Sequence, residues 1–410
     1  MVPSRHSSVV ISLWLLSTAI AAQAADVDLG ARGRVALLQE NQQDGQSASL
    51  ALRLNWQHVW LDNLSSQLQL DGVGTGWQEH YSDGVRFNGQ PRIPDVPGVD
   101  IQQAYFNYQV SGAHIKLGRQ NLEWDDQRFL STNSFWQNPQ SFDALSLDYS
   151  LAEESQLQYA YMDRAARIFG SQADEFLTHD DINFQSQQGL RPKDALGTHE
   201  MHSHALQLQW REWDYSDLTV YGYFINNETL PAFSNHTLGT RYGYQQKFGA
   251  WNYRLSIAAA RQKRTAFSSD FDLPYWHIQN SLGYGSTEWS FDVESLGSSK
   301  GRALITPLGF SHEYQGWADR FVATPAAGVE DISLRNTTRF GKTRVDFRYH
   351  QFYAVAGGDF YGREYDAEVS QQLASQHKIA LRLARFNAAA PYALQFKDVS
   401  NLYLTWSYHY

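Results

Sequence analysis

The sequence has no cysteine and only three methionines. Without cysteine there is no disulfide framework, zinc ribbon, thiol nucleophile or lipid-modified cysteine. Long apolar runs are missing too: after Ala24 nothing approaches the ~20 residues a spanning helix needs. Positive charge is in deficit, with 33 Lys and Arg against 43 Asp and Glu, which argues against a nucleic-acid partner. The one apolar run, VVISLWLLSTAIAA (9–22), is too short to span a bilayer and follows Arg5 and His6. It ends in a small-x-small site at Ala22-Gln23-Ala24, the pattern of a secretory signal. Residues 1–24 are therefore expected to be removed, leaving a single unit over 25–410 that begins at Ala25.

What is abundant is aromatic: 13 Trp, 23 Tyr and 22 Phe, set singly among polar residues. Their spacing has period two. In SLALRLNWQ (49–57), Leu50, Leu52, Leu54 and Trp56 share one face, and Ala51, Arg53, Asn55 and Gln57 share the other. TRVDFRYHQFY (343–353) sets Val345, Phe347 and Tyr349 against Arg344, Asp346, Arg348 and His350. A charged face of this kind cannot line a dry core, because each unpaired buried charge costs several kcal/mol. It can line a water-filled lumen while the opposite face meets lipid.

Such segments lie near 27–40, 47–60, 64–79, 99–110, 113–120, 141–150, 155–168, 198–211 and 215–227. They continue near 235–248, 250–264, 273–285, 287–298, 329–340, 343–354, 360–373, 376–386 and 397–410. The expected fold is all-β: a transmembrane antiparallel up-and-down barrel of about eighteen strands, with sixteen as the alternative. Tight turns at 61–64, 111–113, 248–250, 284–287 and 340–343 alternate with long segments at 80–98, 121–140, 169–197 and 299–328. Short periplasmic turns and long extracellular loops are the outer-membrane arrangement. Trp56, Trp60, Trp77, Trp210, Trp213, Trp251 and Trp289 fit interfacial girdles. The final strand, NLYLTWSYHY (401–410), alternates aromatics to its last residue, the form read by barrel-insertion machinery.

Two stretches carry a specific resemblance: GRQNLEWDDQRFLSTNSFWQNPQSFDAL (118–145) and TPLGFSHEYQGWADRFVATPAAGVEDISL (306–334). Both resemble the alginate export family of bacterial outer-membrane barrels. The resemblance implies an eighteen-stranded channel with a basic, anion-selective lumen. Alginate serves here as the family's label, and a general or substrate-specific porin stays open beside it.

Alternation assigns Arg32, Arg34, Arg53, Lys116, Arg241, Arg254, Arg335, Arg339, Arg344, Arg348, Lys378 and Arg382 to the interior. Asp28, Asp148, Asp292, Glu294, Asp331, Asp346, Glu364, Asp366 and Glu368 share it. The functional reading is a constriction of cations that grips solute carboxylates, and the plain alternative is cross-strand salt bridging on a wet wall. In GRQNLEWDDQRF (118–129), the acids Glu123, Asp125 and Asp126 are read as partners orienting Arg119 and Arg128 at the pore. Calcium at Asp125 and Asp126 lacks the spaced pattern of a calcium loop. Metal binding by His199, His202 and His204 is disfavoured because alternation sends only the last two to one face. A barrel-embedded hydrolase is the competing class, but no Ser stands beside His350. No cofactor is expected. The expected partners are outer-membrane lipid and lipopolysaccharide, a saccharide or other polar solute, and the insertion machinery, with the barrel monomeric.

Overall fold

The computed structural model describes residues 25–86, 88–175, 197–266 and 272–409. The signal segment 1–24, most of the segment expected at 169–197 and the terminal Tyr410 lie outside them. Eighteen strands form one closed sheet. In chain order they are β1 (Asp26–Glu40), β2 (Gln43–Leu61), β3 (Leu64–Gly76), β4 (Gly98–Val110), β5 (Ala113–Gln120) and β6 (Ser141–Ser150). Next come β7 (Gln156–Ala166), β8 (Thr198–Trp213), β9 (Ser216–Ile225), β10 (Asn235–Phe248), β11 (Trp251–Arg264) and β12 (Leu273–Tyr284). The last six are β13 (Thr287–Leu296), β14 (Val329–Phe340), β15 (Thr343–Tyr353), β16 (Phe360–Gln372), β17 (His377–Ala388) and β18 (Val399–His409). Each pairs antiparallel with its neighbours in sequence, and β18 pairs with β1 from Gly30 opposite His409 to Glu40 opposite Val399. Closure leaves no edge whose N–H and C=O groups would be stranded in hydrocarbon.

Eighteen strands fall where the alternation placed eighteen. One connection departs from the expected asymmetry: Asn41 and Gln42, at the loop end, make a two-residue hairpin. Both have positive φ, 45° and 71°, which is the twist-matched turn that lets β1 and β2 run on to its tip.

The wall sorts residues by solvent. Leu50, Leu52, Leu54, Phe106, Leu117, Leu206, Leu238, Ile278 and Phe347 are exposed on the outside, where lipid covers them. Trp60, Trp213, Trp251, Trp289, Phe248, Phe340 and Trp406 stand outward at the short-turn end as an interfacial girdle. Inside, by contrast, the upper half of the lumen is packed. Leu122, Trp124 and Leu130 from the 121–140 loop join Leu304, Leu308, Trp317 and Phe321 from the 297–328 loop. They bury against inward residues of the wall, including Phe142, Met162, Tyr221, Tyr275, Phe352, Phe386 and Tyr403. The barrel supplies a wet lower lumen and a plugged upper one.

Arg119 departs from its expected position. β5 continues through Gln120, so Arg119 keeps the outward parity of Ile115 and Leu117 and faces away from the lumen. Its guanidinium binds Asp143 of β6 at 2.7 Å on the outer wall. Gly118 permits this ending, with φ at 127° and no room for a Cβ against the Ala104 carbonyl.

Candidate functional site

The two long loops interlock. Ser131 N–H donates to Leu308 O at 2.9 Å, and Phe310 N–H donates to Gln127 O at 3.0 Å. Asn133 reaches Ser311 Oγ at 3.2 Å, and the Tyr314 hydroxyl donates to Asp126 O at 2.6 Å. Phe135 stacks on His312 with ring centroids 3.5 Å apart. The stretches that carry the family resemblance are therefore two halves of one plug.

At the plug's centre is Arg128, 2% exposed. It forms an ion pair with Glu294 of β13 at 2.7 Å, donates to Gln315 at 3.0 Å and to Thr306 at 3.2 Å, and lies over the Tyr314 ring. The acids beside it do other work. Asp125 pairs with Arg241 of β10 at 2.5 Å, Asp126 accepts the Arg128 backbone N–H at 3.0 Å, and Glu123 accepts the Thr132 hydroxyl. The expected roles thus change: Asp143 orients Arg119, and Glu294 orients the Arg128 side chain.

Three more expected lumen cations hold the plug to the wall. Arg32 donates to Gln137 Oε1 and to Ser134 O, each at 2.8 Å. Arg34 pairs with buried Asp95 at 3.2 Å and lies over Phe135 at 4.3 Å. Arg53 pairs with Asp71 at 3.0 Å and reaches Gln137 O. On β16, Glu364 accepts the Ala318 N–H at 2.7 Å and Asp366 accepts the Trp317 N–H at 3.2 Å. Gly316, at φ 78°, must lack a side chain because a Cβ would collide with the Glu364 carboxylate.

Most of the remaining inward cations form a band on β14–β17. Asp346 receives Arg335 at 2.6 Å, Arg344 at 2.8 Å and Arg348 at 3.2 Å. Arg382 pairs with Glu368 at 2.8 Å. Arg348 and Arg382 both lie over the Trp317 indole, at 4.2 and 4.0 Å from a ring centroid. Glu313, from the plug, contacts both guanidiniums, Arg348 at 3.3 Å and Arg382 at 3.6 Å. Arg254 pairs with Glu288 at 2.5 Å, and Lys116 lies over the Tyr105 ring. Arg339 and Lys378 have inward parity near the periplasmic mouth and are exposed. Sequence reasoning did not single out Glu313, Trp317, Phe135 or Asp95. Only the resemblance of SHEYQGWADRF pointed toward the first two, since no periodicity marks a loop residue.

Below the plug lies a cavity of 580 Å³. Arg241, Arg254, Arg335 and Arg348 face it, together with seven carboxylates: Asp125, Asp126, Asp217, Asp292, Glu294, Glu313 and Asp331. Both charges are interleaved around the wall: Arg241 and Arg254 stand on β10 and β11 with Asp217, Asp292 and Glu294 on β9 and β13, and Arg335 and Arg348 on β14 and β15 share their strands with Asp331 and Asp346. A uniformly basic lumen is not what these residues make. His199 faces inward and bonds Asn227, whereas His202 and His204 face outward and bond Tyr161 and Tyr159 at 2.9 Å. No group of metal-ligating side chains is found among the described residues.

Two plug carboxyls have opposite acidities. Burial, and after it the charge of Asp125, pushes Asp126 up to about 6. For Glu313 burial acts upward as well, but Arg348 and Arg382 outweigh it and hold the group down at about 2. A raised carboxyl favours the folded plug when protonated, so its contribution is lost as pH rises through 6. A depressed one contributes above its free value of ~4.3 and loses that as pH falls toward 2. Between pH 7.5 and 5, of these two, only Asp126 changes charge. The reversal potential in a salt gradient should therefore move toward anions over that interval, and Asp126→Asn should shrink the shift.

Residues 77–260 match the model of a family described as alginate export. Over those residues the chain is similar to the alginate export family. The first resembling stretch, 118–145, falls inside that match, and the second packs against it. OccAB2 of Acinetobacter baumannii superposes with a TM-score of 0.71 at 14% identity, over 94% of this chain and 98% of that one. Pseudomonas aeruginosa OccK1 (OpdK) gives 0.68 at 12%, with the same shares covered, and OccK9 (OpdG) gives 0.67 at 16% over 94% and 98%. At these identities the likeness is one of fold. No curated protein matches the sequence. The chain is a porin-like β-barrel channel of the Gram-negative outer membrane.

Proposed function

We propose that the channel is selective for small solutes bearing a carboxylate together with polar or cationic groups, short acidic saccharides among them. The observation that carries this reading is Glu313 seated on Arg348 and Arg382 beside Trp317: a carboxylate already occupies the guanidinium band. A solute carboxylate can take the same position, with bidentate bonds to guanidinium. Its other groups would then face the acids that line the same cavity, Asp217, Asp292 and Asp331 among them. The plug favours small solutes over polymers, since a long chain would have to displace a core containing Trp317 and Leu130. OpdK, of similar fold, has been solved with vanillate, itself a carboxylate. Passage of an anionic polysaccharide is the second reading, favoured by the family match. We further propose that the barrel works as a monomer.

The test is conductance in a planar bilayer. Discrete steps with anion preference are expected, and millimolar monocarboxylates should block or bind more strongly than neutral sugars of equal size. Neutralising Arg344 and Arg348 together leaves Asp346 with Arg335 alone, and should cut anion preference about two- to fivefold, the effect of roughly 1 kcal/mol. Cation preference in the wild type would sink the reading, and unhindered passage of long alginate would favour the second one.

A further inference from the structure

Two arginines stand on the wrong side of the wall for a solute. Arg363 of β16 and Arg385 of β17 have outward parity and are exposed, three residues inside the extracellular ends of their strands. Arg363 lies opposite Asn387 and Tyr365 opposite Arg385, so the two arginines are diagonal neighbours on one face, about 7–8 Å apart. Elsewhere at this end of the outer wall, Arg119 is neutralised by Asp143 and Arg261 by Asp272. Neither Arg363 nor Arg385 has an acidic partner among the described residues, and Arg385 bonds only the Ser400 hydroxyl. An unpaired guanidinium on the lipid face is costly near the bilayer centre and tolerable at the headgroup layer, where phosphate can meet it.

Beneath Arg385 the outer surface is grooved. A cleft of 640 Å³ runs across β15–β18, β1 and β2, floored by Leu37, Phe347, Leu383 and Leu402. Ala367 keeps the floor low between the larger side chains. Arg385 and Ser400 form its polar edge, and Asp44, at the far edge, is engaged by Gln39 at 3.0 Å. Two cations at headgroup level above an apolar channel match an acyl lipid with a phosphate, in a barrel whose extracellular half meets the outer leaflet.

We propose that Arg363, Arg385 and this groove bind one phosphorylated glycolipid of the outer leaflet, its phosphate on the two guanidiniums and an acyl chain along Leu383 and Leu402. The site is separate from the lumen and does not depend on which solute passes. Native mass spectrometry of the full barrel in detergent tests it, with bisphosphorylated lipid A, dephosphorylated lipid A, phosphatidylglycerol and inorganic phosphate as separate additions. Lipid A should be retained at one copy per barrel, and Arg363→Gln/Arg385→Gln should lower its occupancy at least fivefold. Dephosphorylated lipid A on the wild type should bind as weakly, an arm that needs no variant to fold. Arg363→Lys/Arg385→Lys should restore part of the occupancy. Equal retention by the glutamine variant, equal binding of dephosphorylated lipid A, or equal retention of phosphatidylglycerol would each overturn the proposal. So would displacement of lipid A by millimolar inorganic phosphate.

Discussion

Glutamine in place of Glu313 should give a channel that is more anion-selective and binds carboxylates more tightly. In the wild type a solute carboxylate must compete with a carboxylate tethered to the plug and held by Arg348 and Arg382. The Glu313 side chain is a third exposed, so solvent screening reduces what the two ion pairs contribute. After that discount the competition is worth roughly 1–2 kcal/mol, a factor of about 5–30 in solute affinity. Removing it also leaves one more positive charge in the band. The reversal potential should move toward anions, and a carboxylate blocker should act at about tenfold lower concentration. Because Glu313 stays ionised down to about pH 2, acidification to pH 5 should not mimic the substitution. An unchanged blocker affinity with altered selectivity would show that Glu313 contributes charge without occupying the solute's position.

Strand positions and parity were legible because each strand meets lipid on one side and water on the other, and that contrast is written residue by residue. Leu50, Leu52 and Leu54 against Ala51 and Arg53 needs no tertiary knowledge. Arg119 shows how the same rule fails when a strand end is misjudged. Lys116 has inward parity, and carrying the count three residues further turns Arg119 outward, toward Asp143. Gly118, at φ 127°, looks like the strand's end in sequence, yet β5 continues through it to Gln120. Partners inside the plug were out of reach for a different reason. Arg128 and Gln315 are 187 positions apart, and both lie in segments with no periodicity. Alternation says that Arg34 and Asp346 face inward. It cannot say that Arg34 holds a loop through Asp95 while Asp346 gathers three arginines. The resemblance therefore implies a basic lumen, whereas a large part of the arginine set anchors loops and the cavity wall interleaves both charges.

The second large effect is expected at the pair that anchors the plug. Replacing Glu294 with leucine strands the Arg128 guanidinium, 2% exposed, without its carboxylate. Losing one partner of a buried pair costs about 3–5 kcal/mol, and the cost should fall on plug docking, since Glu294 sits on β13 in a wall held by strand pairing on both sides. The loops at 121–140 and 297–328 should then become open to protease, and conductance should rise and turn noisy. The barrel should keep the unheated gel mobility of the wild type. Arg128→Met added to Glu294→Leu removes both charges and leaves apolar groups among Tyr275, Leu308 and Tyr314. That double variant should regain most of the protection, because a buried ion pair replaced by packed apolar side chains is often neutral or stabilising. If the single variant keeps its loops protected, the ion pair is not the anchor, and the grip must lie with Glu364 and Asp366 on the Trp317 and Ala318 amides. If instead the double variant is as open as the single one, the hydrogen bonds from Arg128 to Gln315 and Thr306 carry the docking. Either result would relocate the contact that docks the plug.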